Sequence, residues 1–532
     1  MTTLTHKLNN TLRVWECLLM MLLALDLVVT LYGLDVKAAE AVLPNAESTV
    51  VVVVSELLLF AQLLQIVLPV YPESTFDVFG TTQKIKTTAC KWMGSMSAHD
   101  GGAAEFASSI PKLGDDQLRT FGFLLLPVAA AVVWKIRRLW YFCDDVLTSH
   151  LARHTAPIPI PAQPSYTSND VSVIIPTVDT ADDFTDCLRL ILANNPKEII
   201  IITVKRDFER VNKLIEPLMP LIFKGDHHVV VMTAHHASKR EQSVVGMKEA
   251  TGKILAIVDD DAYWDSETTL PYLLAPFENP KVGGTVGKQS ARIIKSRRHP
   301  KLVTPWEVAG LKSLDNQNNV QAIRFAADDG CFCLVGRTMM MRAEIAKDPS
   351  FIHNLTHEYW RGKLLNTGDD VFITRWLLTK GWDMSIQNAP QAEITTHVMD
   401  NSDLLLQMIR WQRNATQTFL SMVFYEPGIY VIWKKHPYMA RKLIERLLRP
   451  VISWVHIVAF LIGYCNGSVM ACFVAAWYLW NTLSAYKRFL TRFPWASGHI
   501  WAVALLDHCY PLLDVYAWIT LSTETWGTRN ED

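Results

Sequence analysis

The sequence predicts one large α/β domain inserted between N-terminal and C-terminal transmembrane α-helices. Three observations lead there. The chain is 50% hydrophobic and only 19% charged over 532 residues, too apolar for an ordinary soluble protein of this length. Apolar runs of bilayer length cluster near both ends. Between them, short apolar runs alternate with stretches of helical spacing. A net charge of -1 supplies no general field, which excludes nucleic acid as a partner held by overall attraction. The nine cysteines are scattered without paired metal spacing and read as free thiols.

A helix needs about 20 apolar residues to cross a hydrocarbon core about 30 Å thick. In residues 1–150, segments 11–34, 50–70 and 121–141 are the candidate spans. The first lacks a small-residue cleavage site and reads as an anchor, the second is weakened by Glu56, and the third ends in Lys135, Arg137 and Arg138, a cytoplasmic signature. Three spans put the N-terminus outside if the central domain is cytosolic. At the other end, 447–464, 468–486 and 499–521 are candidates within a C-terminal membrane region 447–521. The last contains Asp507, Pro511 and Asp514 and is expected to bend. A tail, 522–532, follows.

The Pro-rich linker HTAPIPIPAQPSYTSND opens the central domain, 151–420. VSVIIPT, EIIIITV, HHVVVMTA and KILAIV read as buried strands. FTDCLRLILANN, ERVNKLIEPLMPLI and REQSVVGMKEAT read as the helices between them. The alternation predicts a parallel sheet with right-handed crossovers, whose ligands bind at the carboxyl ends of the strands. Residues 421–446 are expected as interfacial helices. The basic and apolar run Val431 to Arg449 is read as a helix on the cytoplasmic leaflet, its plain alternative a basic linker.

Three short patterns carry chemistry. Asp259, Asp260 and Asp261 follow KILAIV at a strand's carboxyl end. Crowded carboxylates repel unless a cation sits among them, and hard divalent ions take oxygen ligands; a solvated acidic turn is the even alternative. Gly368, Asp369 and Asp370 precede a stretch of helical spacing (Val371, Ile373, Trp376, Leu377), where Asp369 reads as a helix cap and a carboxylate beside an anionic ligand reads as a general base. Gln407, Arg410 and Trp411 sit in LLLQMIRWQRNATQ, the first two sharing a helix face; a membrane-anchoring interfacial helix is the alternative.

Their order inside one α/β domain resembles the processive family 2 glycosyltransferases, the group of hyaluronan, chitin and cellulose synthases. The likeness runs from about Val171 to Trp411 and reaches TETWGTR near the C-terminus, which is closest to hyaluronan-synthase-like chains. Further matches are VSVIIPT with Asp179, SKREQ, VGGTVGKQ and CLVGRTMMMR.

The resemblance implies a GT-A fold that binds a UDP-sugar (UDP-GlcNAc, UDP-GlcA or UDP-Glc). It implies Asp261 and Asp259 as ligands of Mg2+ or Mn2+ near the diphosphate, and Asp370 as the catalytic base, with Asp369 beside it. Pro176, Thr177, Asp179, Lys239, Arg240, Asp259, Gln407, Arg410, Trp411, Cys333 and Gly336 are the implied substrate-binding residues. Gln407 and Arg410 would brace the diphosphate, Trp411 would line the acceptor site, and direct displacement would invert the anomeric centre.

The implied activity is polymerisation of a cell-surface or extracellular polysaccharide. The growing chain is the acceptor, passed through the protein's own helices in a lipid bilayer, most simply the plasma membrane with the catalytic domain cytosolic. A nonprocessive lipid-directed transferase and a noncatalytic scaffold or transport component are the rivals. The sequence departs from the family pattern in three places: Thr203, Val204 and Lys205 end the second strand where an acid is usual, with Asp207 only later; Val335 and Met341 replace a Ser and an aromatic; Gln417 stands where an Arg is common.

Overall fold

The computed structural model describes residues 148, 152, 155–449 and 469–523, all within a compact unit, Asp144–Asp532. Candidate spans 11–34, 50–70 and 121–141, and most of 447–464, lie outside the described residues.

The core is a seven-stranded sheet in the order β11-β6-β8-β4-β1-β2-β3. β1 (Val171–Pro176), β2 (Glu198–Val204), β3 (His228–Ala234) and β4 (Ile254–Val258) are the strands expected from the apolar runs. Both faces of β1, β2 and β4 are covered, so these strands are buried along their length rather than alternating, whereas β3, at the sheet edge, is only half-buried, which corrects its reading as a buried strand. β1 pairs in parallel with β2 and β4, and β2 with β3. The sheet is not wholly parallel, which corrects the expectation: β8 (Thr338–Arg342) runs antiparallel between β4 and β6 (Val282–Gly287). A strand inserted against the grain brings the segment before it, 331–337, to the carboxyl end of β4.

β11 (Asp383–Gln387) closes one edge beside β6. A small sheet of β5 (Ala262–Trp264), β12 (Ile394–Thr396) and β7 (Gln289–Ala291) continues from the acidic turn. A two-stranded hairpin joins β9 (Tyr359–Trp360) to β10 (Lys363–Leu364).

Among the helices, α1 (Phe184–Leu192) follows its predicted stretch. ERVNKLIEPLMPLI breaks instead into α2 (Phe208–Ile215), a 3-10 turn and α3 (Met219–Lys224), because Pro217 and Pro220 each remove a backbone donor. α4 (Lys239–Glu249) is capped by Ser238. α5 (Thr269–Leu274) lies before β6. α6 (Pro305–Asp328) opens with a reciprocal capping box between Thr304 and Glu307, and α7 (Pro349–Thr356) is capped by Asp348. α8 (Asp369–Thr379) begins at the second acid pair, and α9 (Asp403–Phe424) carries Gln407, Arg410 and Trp411.

The run Val431 to Arg449 is not one surface helix. Pro437 divides it into α10 (Ile429–Lys435) and α11 (437–449), and Ile432, Met439, Ala440 and Leu443 are buried in the main hydrophobic cluster with Phe372, Phe419 and Met422. The charge-rich spacing reports one face, while the apolar face is absorbed by the domain.

Segments 468–486 and 499–521 correspond to α12 (Val469–Arg492) and α13 (Ile500–Ile519). Among the described residues no helix is long and apolar enough to cross a membrane. α13 instead lies along α6 and α9. Its Asp514 is buried in an ion pair with Arg449, and Pro511 sits inside it.

Candidate active site

The site forms where β1, β2 and β4 end and the first turns of α4 and α8 meet. α4 starts with Lys239 and Arg240, about 100° apart around the helix, so consecutive residues face different neighbours. Lys239 Nζ lies 2.7 Å from Asp259 Oδ1 and 3.1 Å from Asp369 Oδ2. One ammonium therefore ties the first acid motif to the second. Burial opposes its charge, but the carboxylates of Asp259 and Asp369 prevail and hold its pKa well above the ordinary lysine value.

The three acids after β4 diverge. Asp259 N donates to Arg337 O at 2.9 Å, joining the turn to the segment before β8. Asp260 is buried and accepts the Thr177 hydroxyl at 2.5 Å, a contact that fastens the turn to the end of β1. Asp261 accepts the Thr396 hydroxyl of β12 at 3.0 Å. Neither the role of Asp260 nor that of Thr396 was legible in the sequence, since their partners are 83 and 135 residues away.

Asp207 answers the missing acid at the end of β2. A 3-10 turn, Lys205–Asp207, folds it back, and its carboxylate accepts Asp179 N at 2.9 Å. Arg206 pairs with Asp179 at 3.3 Å. Pro176 ends β1, and Thr177 N donates to Ile202 O. Thus 176–179 and 207 share one edge of the site.

The second motif is more enclosed. Gly368, at φ 72°, is the residue before α8, a left-handed conformation that favours glycine. Asp369 is accordingly the first helical residue rather than its cap, and both acids lie in the first turn, where the helix dipole favours negative charge. Asp370 Oδ1 accepts its neighbour Val371 N at 2.8 Å. Its Oδ2 takes the Gly336 N–H at 3.4 Å and the Cys333 thiol at 3.3 Å. A Cβ on Gly336 would come within 3.2 Å of both Asp370 Cβ and Lys239 Nζ, so glycine lets the loop close over the base.

Burial, then the charge of Asp369, raises the Asp370 pKa, with Lys239 acting in the opposite sense. Asp369 goes the other way: burial would raise it, but Lys239 outweighs burial and keeps it ionised. Two neighbouring acids are thus driven apart in basicity, the pattern that separates a proton acceptor from a permanent anion. Cys333 is pushed up by burial and by Asp370, so it stays a thiol donor.

Arg240 turns away from the acids: it is 2% exposed and bonds to the carbonyls of Leu355, Thr367 and Gly368. Of the third motif, Trp411 faces the Arg337 guanidinium at 5.5 Å, which carries α9 toward the same loop. Gln407 and Arg410 are half-buried on that helix. Gln417 has a different task, donating to Leu521 O at 2.7 Å where the chain leaves α13.

No group of three or more His, Cys, Asp or Glu side chains among the described residues forms a metal cage. Mg2+ and Mn2+ need less where a diphosphate supplies oxygens, one or two carboxylates sufficing. Asp261 and Asp259 are the carboxylates that would serve in that mode, with Lys239 on Asp259 Oδ1.

A sequence profile described as "Glycosyltransferase like family 2" matches residues 168–414, from the approach to β1 into α9. The chain is also 40% identical over 396 residues to the NDP-glycosyltransferase ltbB of Aspergillus luteorubrus, covering 74% of this chain and 96% of that one. The chain belongs to glycosyltransferase family 2. A Type 2 glycosyltransferase of Pyricularia oryzae is 28% identical over 382 residues, covering 70% of this chain and 77% of that one. Among solved structures, a mannosyltransferase of Pyrobaculum calidifontis in complex with GDP-Man and Mn2+ shares 18% identity at a TM-score of 0.45, covering 69% of this chain and 95% of that one.

This family 2 glycosyltransferase has the GT-A-type α/β fold and uses a nucleotide-sugar donor. The matched interval holds Asp259, Asp260, Asp261, Asp369, Asp370 and Gln407 to Trp411 together, which makes the cluster around Lys239 its candidate catalytic centre.

Proposed function

We propose that this chain is a UDP-sugar-dependent, inverting glycosyltransferase that elongates a polysaccharide at a membrane, with Asp370 as its general base. The observation that carries the reading is the enclosed carboxylate of Asp370, raised in basicity, whose neighbour Asp369 is tied through Lys239 to the acidic turn after β4. The acceptor hydroxyl gives its proton to Asp370 as its oxygen bonds the anomeric carbon. The bond from that carbon to the diphosphate breaks on the opposite face, and UDP leaves. Gln407 and Arg410 meet the charge that grows on the diphosphate, and Trp411 offers a flat apolar face to a sugar ring. A bound Mg2+ or Mn2+, held by Asp261 and Asp259, would supply further neutralisation of the leaving group.

The polymer and membrane parts rest on the resemblance of the three motifs and the WGTR tail, together with apolar segments 11–34, 50–70, 121–141 and 447–464. Incubating the full chain in lipid with UDP-GlcNAc, UDP-GlcA and UDP-Glc, singly and in pairs, with Mn2+ or Mg2+, tests the reading. High-mass product digestible by defined glycosidases is expected. A single-sugar lipid as sole product would overturn polymerisation, and no UDP release from any donor would overturn the choice of UDP-sugars.

A further inference from the structure

Glu358 lies between α7 and the β9–β10 hairpin, outside the three motifs in sequence, and its carboxylate bridges two guanidiniums. Arg240 Nη1 is 2.7 Å from Oε2, and Arg375 Nη2 is 2.5 Å from Oε1. Both guanidiniums also approach the ring of Phe372, at 5.4 and 5.6 Å. Without the acid, two cations would face each other around one aromatic ring at the start of α8.

The consequence reaches the catalytic pair through the backbone. Arg240 Nη2 donates to Thr367 O at 2.8 Å and to Gly368 O at 3.2 Å, and Nε donates to Thr367 O at 3.2 Å. These carbonyls belong to the two residues immediately before Asp369. Gly368 O also accepts Phe372 N at 3.1 Å, the first hydrogen bond of α8, so its direction sets the helix start. Arg240 leaves α4 beside Lys239, whose ammonium holds Asp369 itself. One helix turn therefore grips the motif twice, by its carboxylate and by its carbonyls, and Glu358 holds the second grip in place.

We propose that Glu358 is a positioning residue for the proton-accepting carboxylate, keeping Arg240 on the Thr367 and Gly368 carbonyls and thereby fixing Asp370 against its acceptor. The proposal rests on the reading of Asp370 as base. It assigns Glu358 to geometry and not to donor binding, so it separates kcat from KM: a misplacement on the order of 1 Å costs about 10²-fold in rate while leaving uniform donor binding intact.

The test uses Glu358→Gln, which keeps shape and removes charge, with Glu358→Asp as the conservative variant, in the full chain. For Glu358→Gln, kcat for UDP release is expected to fall about 10²-fold with donor KM unchanged within about twofold. Amide hydrogen exchange should speed up selectively in 365–372, and Glu358→Asp should recover part of kcat. Arg240→Lys serves as the second variant should Glu358→Gln fail to fold, with the same split expected. Unchanged kcat and unchanged exchange in Glu358→Gln would overturn the proposal. So would a loss of kcat and donor binding together, with exchange rising evenly across the sheet, which is the mark of a merely structural role. Wild-type chain that releases no UDP from any donor overturns the catalytic reading instead; the exchange measurement still decides whether Glu358 holds this loop.

Discussion

The turn 259–261 and the acid pair 369–370 at the start of α8 are built from the same residue, yet the structure treats their carboxylates in opposite ways. After β4 the three acids are sent to three partners on different elements: Lys239 for Asp259, Thr177 for Asp260 and Thr396 for Asp261. At α8 the two acids are kept together, closed over by Cys333 and Gly336, and separated in basicity by burial and by Lys239. Dispersion leaves negative charge available to a cation, whereas concentration makes one carboxylate hold a proton more tightly. Residue type supplies the charge, but enclosure decides what the charge does.

Removing the concentrated acid breaks the comparison most severely. Asp370→Asn is expected to lower kcat by about 10²–10⁴-fold, with UDP affinity by calorimetry near that of the unaltered chain. A comparable loss in UDP affinity would place Asp370 among the donor contacts instead.

Lys239 belongs to both regions, so its loss is felt in both. Lys239→Met strands Asp259 and Asp369 without their ammonium, which should cost roughly 3–5 kcal/mol of stability in chemical denaturation. It also removes the charge that lowers the Asp370 pKa. Turnover needs Asp370 unprotonated and therefore falls as pH drops through its raised pKa. In Lys239→Met the acid limb of the kcat profile should move to higher pH, and a shift toward lower pH would show that the charges around Asp370 are wrongly assigned.

The dispersed turn is sharpened by Asp261→Asn. UDP affinity in the presence of Mn2+ should weaken by about 10–100-fold, while affinity measured in EDTA stays the same. Equal losses in both conditions would mean that Asp261 acts through Thr396 and the fold.

The smallest effect is expected from Gly336→Ala. The new Cβ needs neighbours to give by a few tenths of an ångström, and kcat should fall about 5–10-fold, a cost on the order of 1 kcal/mol, with little change in the thermal midpoint. An unchanged kcat would show that the loop over Asp370 adjusts freely.

Much of the fold was legible because β1 to β4 are short, mostly apolar and spaced by helical stretches. The long α6 was not read from the sequence; its Thr304-Pro305-Trp306-Glu307 start, which forms its capping box, is the signal that could have found it. β8 was hidden inside CLVGRTMMMR, since its direction depends on which neighbours it pairs with and not on its own pattern. The last apolar segment passed a test of composition that α13 answers differently. Its Asp514 finds Arg449, and one side of the helix finds α6 and α9.

The amino-acid sequence by itself determined strands β1 to β4, the order of the three motifs and the residue types able to do the chemistry, because those follow from local periodicity and from side-chain charge. Tertiary structure alone decided which carboxylate meets which partner, that Arg240 holds backbone while Lys239 holds acids, and that Glu358 bridges Arg240 and Arg375. The physical reason is range. A strand or a cap is fixed within a few residues, whereas a carboxylate's basicity depends on charges and burial brought in from segments more than 100 residues away, as Lys239 is from Asp369.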